Sequence, residues 1–78
     1  MQQSQGRVSY DIGRMQDDMA ELGWLPVDLA RHAQVSHMTV SRFLRGERQT
    51  ARTAKKLAGA LGYSVRRYLI SSRELVTR

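Results

Sequence analysis

Seven basic side chains, Arg31, Arg42, Arg45, Arg48, Arg52, Lys55 and Lys56, crowd into residues 31–56, where Glu47 is the only acid. The same block holds His37, Met38 and Ser41. An arginine fork can donate two parallel hydrogen bonds to guanine O6 and N7 or to a phosphate. Histidine and serine can donate or accept at base edges, and a methionine can lie against a thymine methyl. The set therefore suits an anionic, base-bearing partner. Covalent chemistry has little to work with. There is no cysteine, which excludes disulfides, thiolate zinc sites and thiol nucleophiles together. His32 and His37 are five apart with no acid or thiol at ligand spacing. No nucleophile elbow or glycine-rich phosphate loop occurs. We expect no enzyme, no metal and no cofactor.

The composition agrees. The 78 residues carry 13 Lys plus Arg against 7 Asp plus Glu, a net charge of +6, with 41% hydrophobic residues. That is enough apolar material for one modest core, and the charge favours an anionic partner. The charge is also split. Residues 1–30 set Arg7 and Arg14 against Asp11, Asp17, Asp18, Glu21 and Asp28, a net of −3, and the remainder is +9. Aromatic content of 6% argues against a partner whose unpaired bases stack on rings, as is usual in RNA recognition. No apolar run approaches the roughly 18 residues of a membrane span, and the N-terminus lacks a signal-peptide core. No helix pairs a bulky apolar face with a lysine-rich one, so membrane binding is not expected. A soluble cytoplasmic protein is expected.

The elements that must position these groups can be read from periodicity. Val8, Ile12, Met15, Met19 and Leu22 step by four and three, one face of an amphipathic helix, with Asp11, Arg14, Asp17, Asp18 and Glu21 opposite. Gly23 is placed to end it. Trp24 is expected to pack between helices. Pro26 suits the first position of a second helix ending at Ala33. Ser36 can cap a third, His37 to Arg45, with Gly46 after it; Thr50 can cap a fourth, about 51–61, with Gly62 after it; Ser64 can cap a fifth, 65–71, burying Val65, Tyr68 and Leu69. Nothing alternates with period two, so no strands are expected. The fold expected is all-α, a compact five-helix bundle at residues 7–71, between a flexible N-terminus at 1–6 and a C-terminal tail at 72–78.

Two short helices joined by residues 34–36 form the tight corner of a helix-turn-helix. On a wheel of the second, Val40, Phe43 and Leu44 face inward, while Met38, Ser41, Arg42 and Arg45 face outward with His37 at the edge. A DNA major groove admits one such helix, and its N-terminal residues reach deepest. His37, Met38, Ser41, Arg42 and Arg45 are the expected base contacts. The helix starts near Pro26, His37 and Thr50 can each receive a phosphate, although Asp28 would repel one at the first. Ser36, Arg48, Thr50, Arg52 and Lys55 are the expected phosphate contacts.

The stretch from Leu25 to Gly62 resembles the phage-repressor-like and Cro-like helix-turn-helix transcriptional regulators. Its core, VSHMTVSRFLRG, is similar to the headpiece of lactose-repressor-type regulators, where a valine-serine-x-x-threonine-valine-serine-arginine run recurs. The resemblance implies a five-helix DNA-binding domain that docks as a dimer on an operator. Its base-reading positions fall on His37 and Met38, with Ser41 and Arg42 one turn later. Three positions depart. Gln34 stands where the turn usually has Gly, which would cost about 1 kcal/mol in a left-handed backbone. Pro26 replaces the glutamine that often opens the second helix. His37 replaces a frequent glutamine, so sequence preference does not carry over.

Val65, Leu69, Ile70, Leu75 and Val76 read most simply as a homodimer face, which fits a palindrome with half-sites about 34 Å apart. The same segment could instead meet a protein partner such as a toxin, as in antitoxins that carry a helix-turn-helix and regulate their own operon.

Overall fold

The computed structural model describes residues 8–71, so the expectations for 1–6, 72–78, Leu75 and Val76 lie outside the described residues. In chain order it runs β1 (Val8–Tyr10), α1 (Ile12–Leu22), α2 (Pro26–Ala33), α3 (His37–Leu44), α4 (Ala51–Leu61), a 3-10 turn (Val65–Tyr68) and β2 (Leu69–Ser71).

The helix boundaries follow from local chemistry. Asp11, Ser36 and Thr50 each accept a hydrogen bond from the backbone N–H three residues on, at 3.0, 3.0 and 3.2 Å. Each satisfies one donor that the first helical turn leaves unpaired. At the C-terminal ends, paired reverse bonds close each helix, such as Val35 N–H to Ala30 O at 3.0 Å and Glu47 N–H to Arg42 O at 2.9 Å. That closure needs one left-handed residue. Gly46 supplies it after α3, with φ 78°. After α2 the residue is Gln34, with φ 61° and ψ 44°, so the turn keeps the usual geometry with a strained residue in it.

Two expectations about the ends of the domain are corrected. Four α-helices are present among the described residues, not five, and two short strands occur where none was expected. Val8–Tyr10 is not the start of α1. It pairs antiparallel with β2, Val8 opposite Ser71 and Tyr10 opposite Leu69. The expected fifth helix, 65–71, is a single 3-10 turn that runs into that strand. The reason lies in Asp11, whose N–H bonds to Tyr68 O at 2.7 Å while its side chain caps α1. The helix cannot extend back through a residue whose backbone is tied to the other end of the chain.

The core gathers Met15 and Met19 of α1, Leu29, Ala30 and Ala33 of α2, Val40 and Phe43 of α3, and Ala54, Leu57, Ala58 and Leu61 of α4. Tyr10 and Tyr68 close the end beside the strands, with Tyr10 against Phe43 at 5.4 Å between ring centres. Each large side chain so buried contributes about 1.5–3 kcal/mol. Leu22, expected on the buried stripe of α1, is 49% exposed, because the chain leaves the helix there at Gly23. Asp18, expected on the polar face, is buried. Arg67 donates to its carboxylate at 2.7 and 2.9 Å, and the Tyr68 hydroxyl donates as well. Tyr68, expected inside, is fully buried. Trp24 is half-buried and lies flat on His32, 4.1 Å between ring centres.

Candidate nucleic-acid interface

The third helix divides as its sequence predicts. Val40 and Phe43 are wholly buried and Leu44 packs against the core. They anchor a helix whose other side is open: His37, Met38, Arg42 and Arg45 are exposed, Met38 at 57%. Ser41, expected with them, is half-buried at the edge. An exposed methionine at the start of a fixed helix is apolar surface without a partner in the fold. Arg45 is the terminal residue rather than part of the helix, and its side chain lies on Glu47 with Nε 2.9 Å from the carboxylate.

Beside this face the starts of α3 and α4 enclose a cleft of about 410 Å³ lined by Thr39, Arg42, Arg48, Thr50, Arg52 and Thr53. Three arginines meet there with no acid in the lining. The geometry is braced at three points. Ser36 Oγ and Thr39 Oγ1 share a hydrogen bond of 2.8 Å. The Thr50 hydroxyl donates to Thr53 Oγ1 at 3.0 Å. The Gln49 side-chain amide donates to Phe43 O at 3.0 Å, tying the loop before α4 to the last turn of α3. Two helix N-termini add partial positive charge to the same region. An anion in this cleft would meet three guanidinium groups already in place.

Of the expected phosphate contacts, Arg48, Thr50 and Arg52 line the cleft, Ser36 joins it through Thr39, and Lys55 is exposed on α4 without lining it. Arg42, expected at a base, lines the cleft too, so it sits at the junction between the reading face and the phosphate-binding region. Thr39, Thr53 and Gln49 were not singled out from the sequence. The first two follow Ser36 and Thr50 by three residues, the spacing at which a cap's partner stands, and that spacing could have found them. No periodic signal marks Gln49.

At the N-terminus of α2 stands the carboxylate of Asp28, which would repel a phosphate. It accepts from Leu25 N–H at 2.8 Å and from Arg31 at 2.8 Å. Those bonds, the Leu25 N–H first, hold the Asp28 carboxyl below its usual range. Among the described residues no His, Cys, Asp or Glu cluster is placed to hold a metal ion, and no helix is long and apolar enough to cross a membrane. In the expected dimer face, Leu69 is 40% exposed, Ile70 is half-buried and Val65 packs against the core.

A search among curated proteins gives no match. The sequence profile of the helix-turn-helix family matches residues 16–67, two thirds of the chain, from the middle of α1 through α2, α3 and α4 to the 3-10 turn. That span contains both the outward face of α3 and the arginine cleft beside it. The chain belongs to the helix-turn-helix family of DNA-binding transcription regulators.

Proposed function

We propose that this chain is a sequence-specific repressor of the phage or Cro type that binds a palindromic operator as a homodimer. One observation carries the reading: the outward side of α3, with His37, Met38 and Arg42, adjoins a cleft in which Arg42, Arg48 and Arg52 converge without an acid. In a major groove, His37, Met38, Ser41, Arg42 and Arg45 meet base edges. Arg48, Arg52 and Thr50 grip the adjoining phosphates, with Ser36 and Lys55 on either side. The phosphate contacts fix register and orientation, and the α3 face discriminates sequence. A homodimer formed through Val65, Leu69 and Ile70, together with Leu75 and Val76, sets two α3 helices into successive grooves about 34 Å apart. Repression follows where the bound dimer occludes polymerase.

Selection of bound duplexes from a random pool at about 150 mM salt tests this reading, because non-specific phosphate binding weakens steeply with salt. A consensus with two-fold symmetry and half-site centres about 10 base pairs apart is expected. Recovery of no preferred sequence overturns the reading, and an unsymmetric single half-site overturns the dimer.

A further inference from the structure

We infer that Glu47 is a positioning residue for DNA reading: it holds Arg45 by one edge and presents the other edge to a guanine. The inference rests on the reading above, in which Arg45 meets bases. Arg45 Nε lies 2.9 Å from Glu47 Oε2 and Nη2 lies 3.3 Å from Oε1. That is a two-point grip on the side of the guanidinium nearest its stem. A guanidinium has five N–H groups in one plane. The carboxylate takes the Nε–H and one Nη2–H. The outer Nη2–H and the Nη1 pair stay open, and they form the end-on fork that matches guanine O6 and N7.

The backbone makes Glu47 a fixed post. Arg45 ends α3, Gly46 turns the chain in the left-handed region with φ 78°, and the Glu47 N–H returns to Arg42 O at 2.9 Å. The carboxylate therefore projects from a closed turn. Both side chains remain more than half exposed, 56% and 54%, and exposed ion pairs contribute little to folding. The effect of the pair is on orientation. An unrestrained arginine gives up much rotamer freedom when it binds, whereas one already gripped gives up less. Arg45 does not line the arginine cleft, which sets it apart from Arg42, Arg48 and Arg52.

Glu47 has a second consequence. It is the one acid within the basic block, so it weakens phosphate attraction on every sequence alike. A residue that lowers non-specific affinity while preparing one base contact widens the ratio on which site selection depends.

The test uses the selected duplex and variants of it changed one base pair at a time. Arg45→Ala identifies the pair that Arg45 reads. Glu47→Ala should reduce discrimination at that same pair by roughly two- to fivefold, while binding to random duplex tightens. In the double variant, discrimination at that pair should fall no further than in Arg45→Ala alone. The proposal is overturned if Glu47→Ala tightens all duplexes by one common factor with discrimination intact, or if its loss falls at a different pair. Absence of any preference in the unmodified protein is a separate result and contradicts the proposed function instead.

Discussion

Arg67 grips Asp18 with two nitrogens, at 2.7 and 2.9 Å, across 49 residues of sequence. The bond fastens the 3-10 turn to α1 and so closes the end of the domain where the two strands meet. Its guanidinium also lies over the Tyr63 ring, 4.1 Å from the centre. Asp18→Ala removes the acceptor of three donors at once, the Tyr68 hydroxyl among them. A loss of about 2 kcal/mol is expected, a fall in Tm of roughly 10 °C for a domain of this size. Thermal denaturation followed by circular dichroism checks it. An unchanged Tm would mean that the cluster is incidental to folding.

The same cluster sets the pH limits. The Arg67 hydrogen bonds, helped by Tyr68, hold the Asp18 carboxyl below its usual 3.8 even though burial pulls the other way. A depressed folded pKa gives stability that is complete above the unfolded value and is lost as pH falls through the folded one. Stability should therefore fall as acid is added below about pH 4. Burial, with the Asp18 carboxylate, pushes the Tyr68 hydroxyl above its usual 10.0, so its contribution holds below that value and is lost as pH climbs past it. Urea midpoints across the pH range should show both limbs. Asp18→Asn should flatten the acid limb, and an acid limb identical in the variant would contradict the assignment.

Gln34 is the one described residue other than glycine with positive φ. A left-handed backbone costs a residue with a side chain about 1–2 kcal/mol, and glycine returns part of that through its freer unfolded chain. Gln34→Gly should stabilise the domain by about 0.5 kcal/mol, and Gln34→Val should destabilise it. Equal stability of all three proteins in urea would mean that the turn relaxes.

Much of the frame was legible because its causes are local. Ser36, Thr50, Ser64, Gly23, Gly46 and Gly62 mark their helix ends within three or four residues, and the i, i+3, i+4 spacing put Val40 and Phe43 inside. Features that depend on distant partners were not legible. Three-residue strands carry no measurable period, and Val8–Tyr10 become a strand only because Leu69–Ser71 lie alongside. Asp18 reads as one more acid of a solvated face until Arg67 and Tyr68 are brought to it. In the site, the exposed side of α3 was legible from the wheel. The convergence of Arg42 with Arg48 and Arg52 was not, because it depends on how α4 is set against α3 by the Gln49 bond.

Val40 has no exposed surface. Val40→Asp would bury an unpaired carboxylate among Leu29, Phe43 and their neighbours, a cost of several kcal/mol against a small domain's total stability. Loss of the helical circular dichroism signal at 25 °C is expected. A folded variant would mean that α3 is rotated about its axis from the orientation described.

Arg52 lines the cleft from the first turn of α4. As a phosphate contact, Arg52→Ala should weaken selected and random duplexes by the same factor and lower the slope of log K against log salt by about 1. An unchanged slope removes Arg52 from the contact.

The central claim is that the outward side of α3 reads base pairs, and Arg42 tests it most directly because it stands where reading face and cleft meet. The measurement is the affinity of Arg42→Ala for the selected duplex and for a scrambled duplex at one salt concentration. A loss of about 1–3 kcal/mol on the selected site, with discrimination relaxed at one base pair and little change on the scrambled one, is predicted. An equal loss on both duplexes would contradict base reading by Arg42 and make it a phosphate contact.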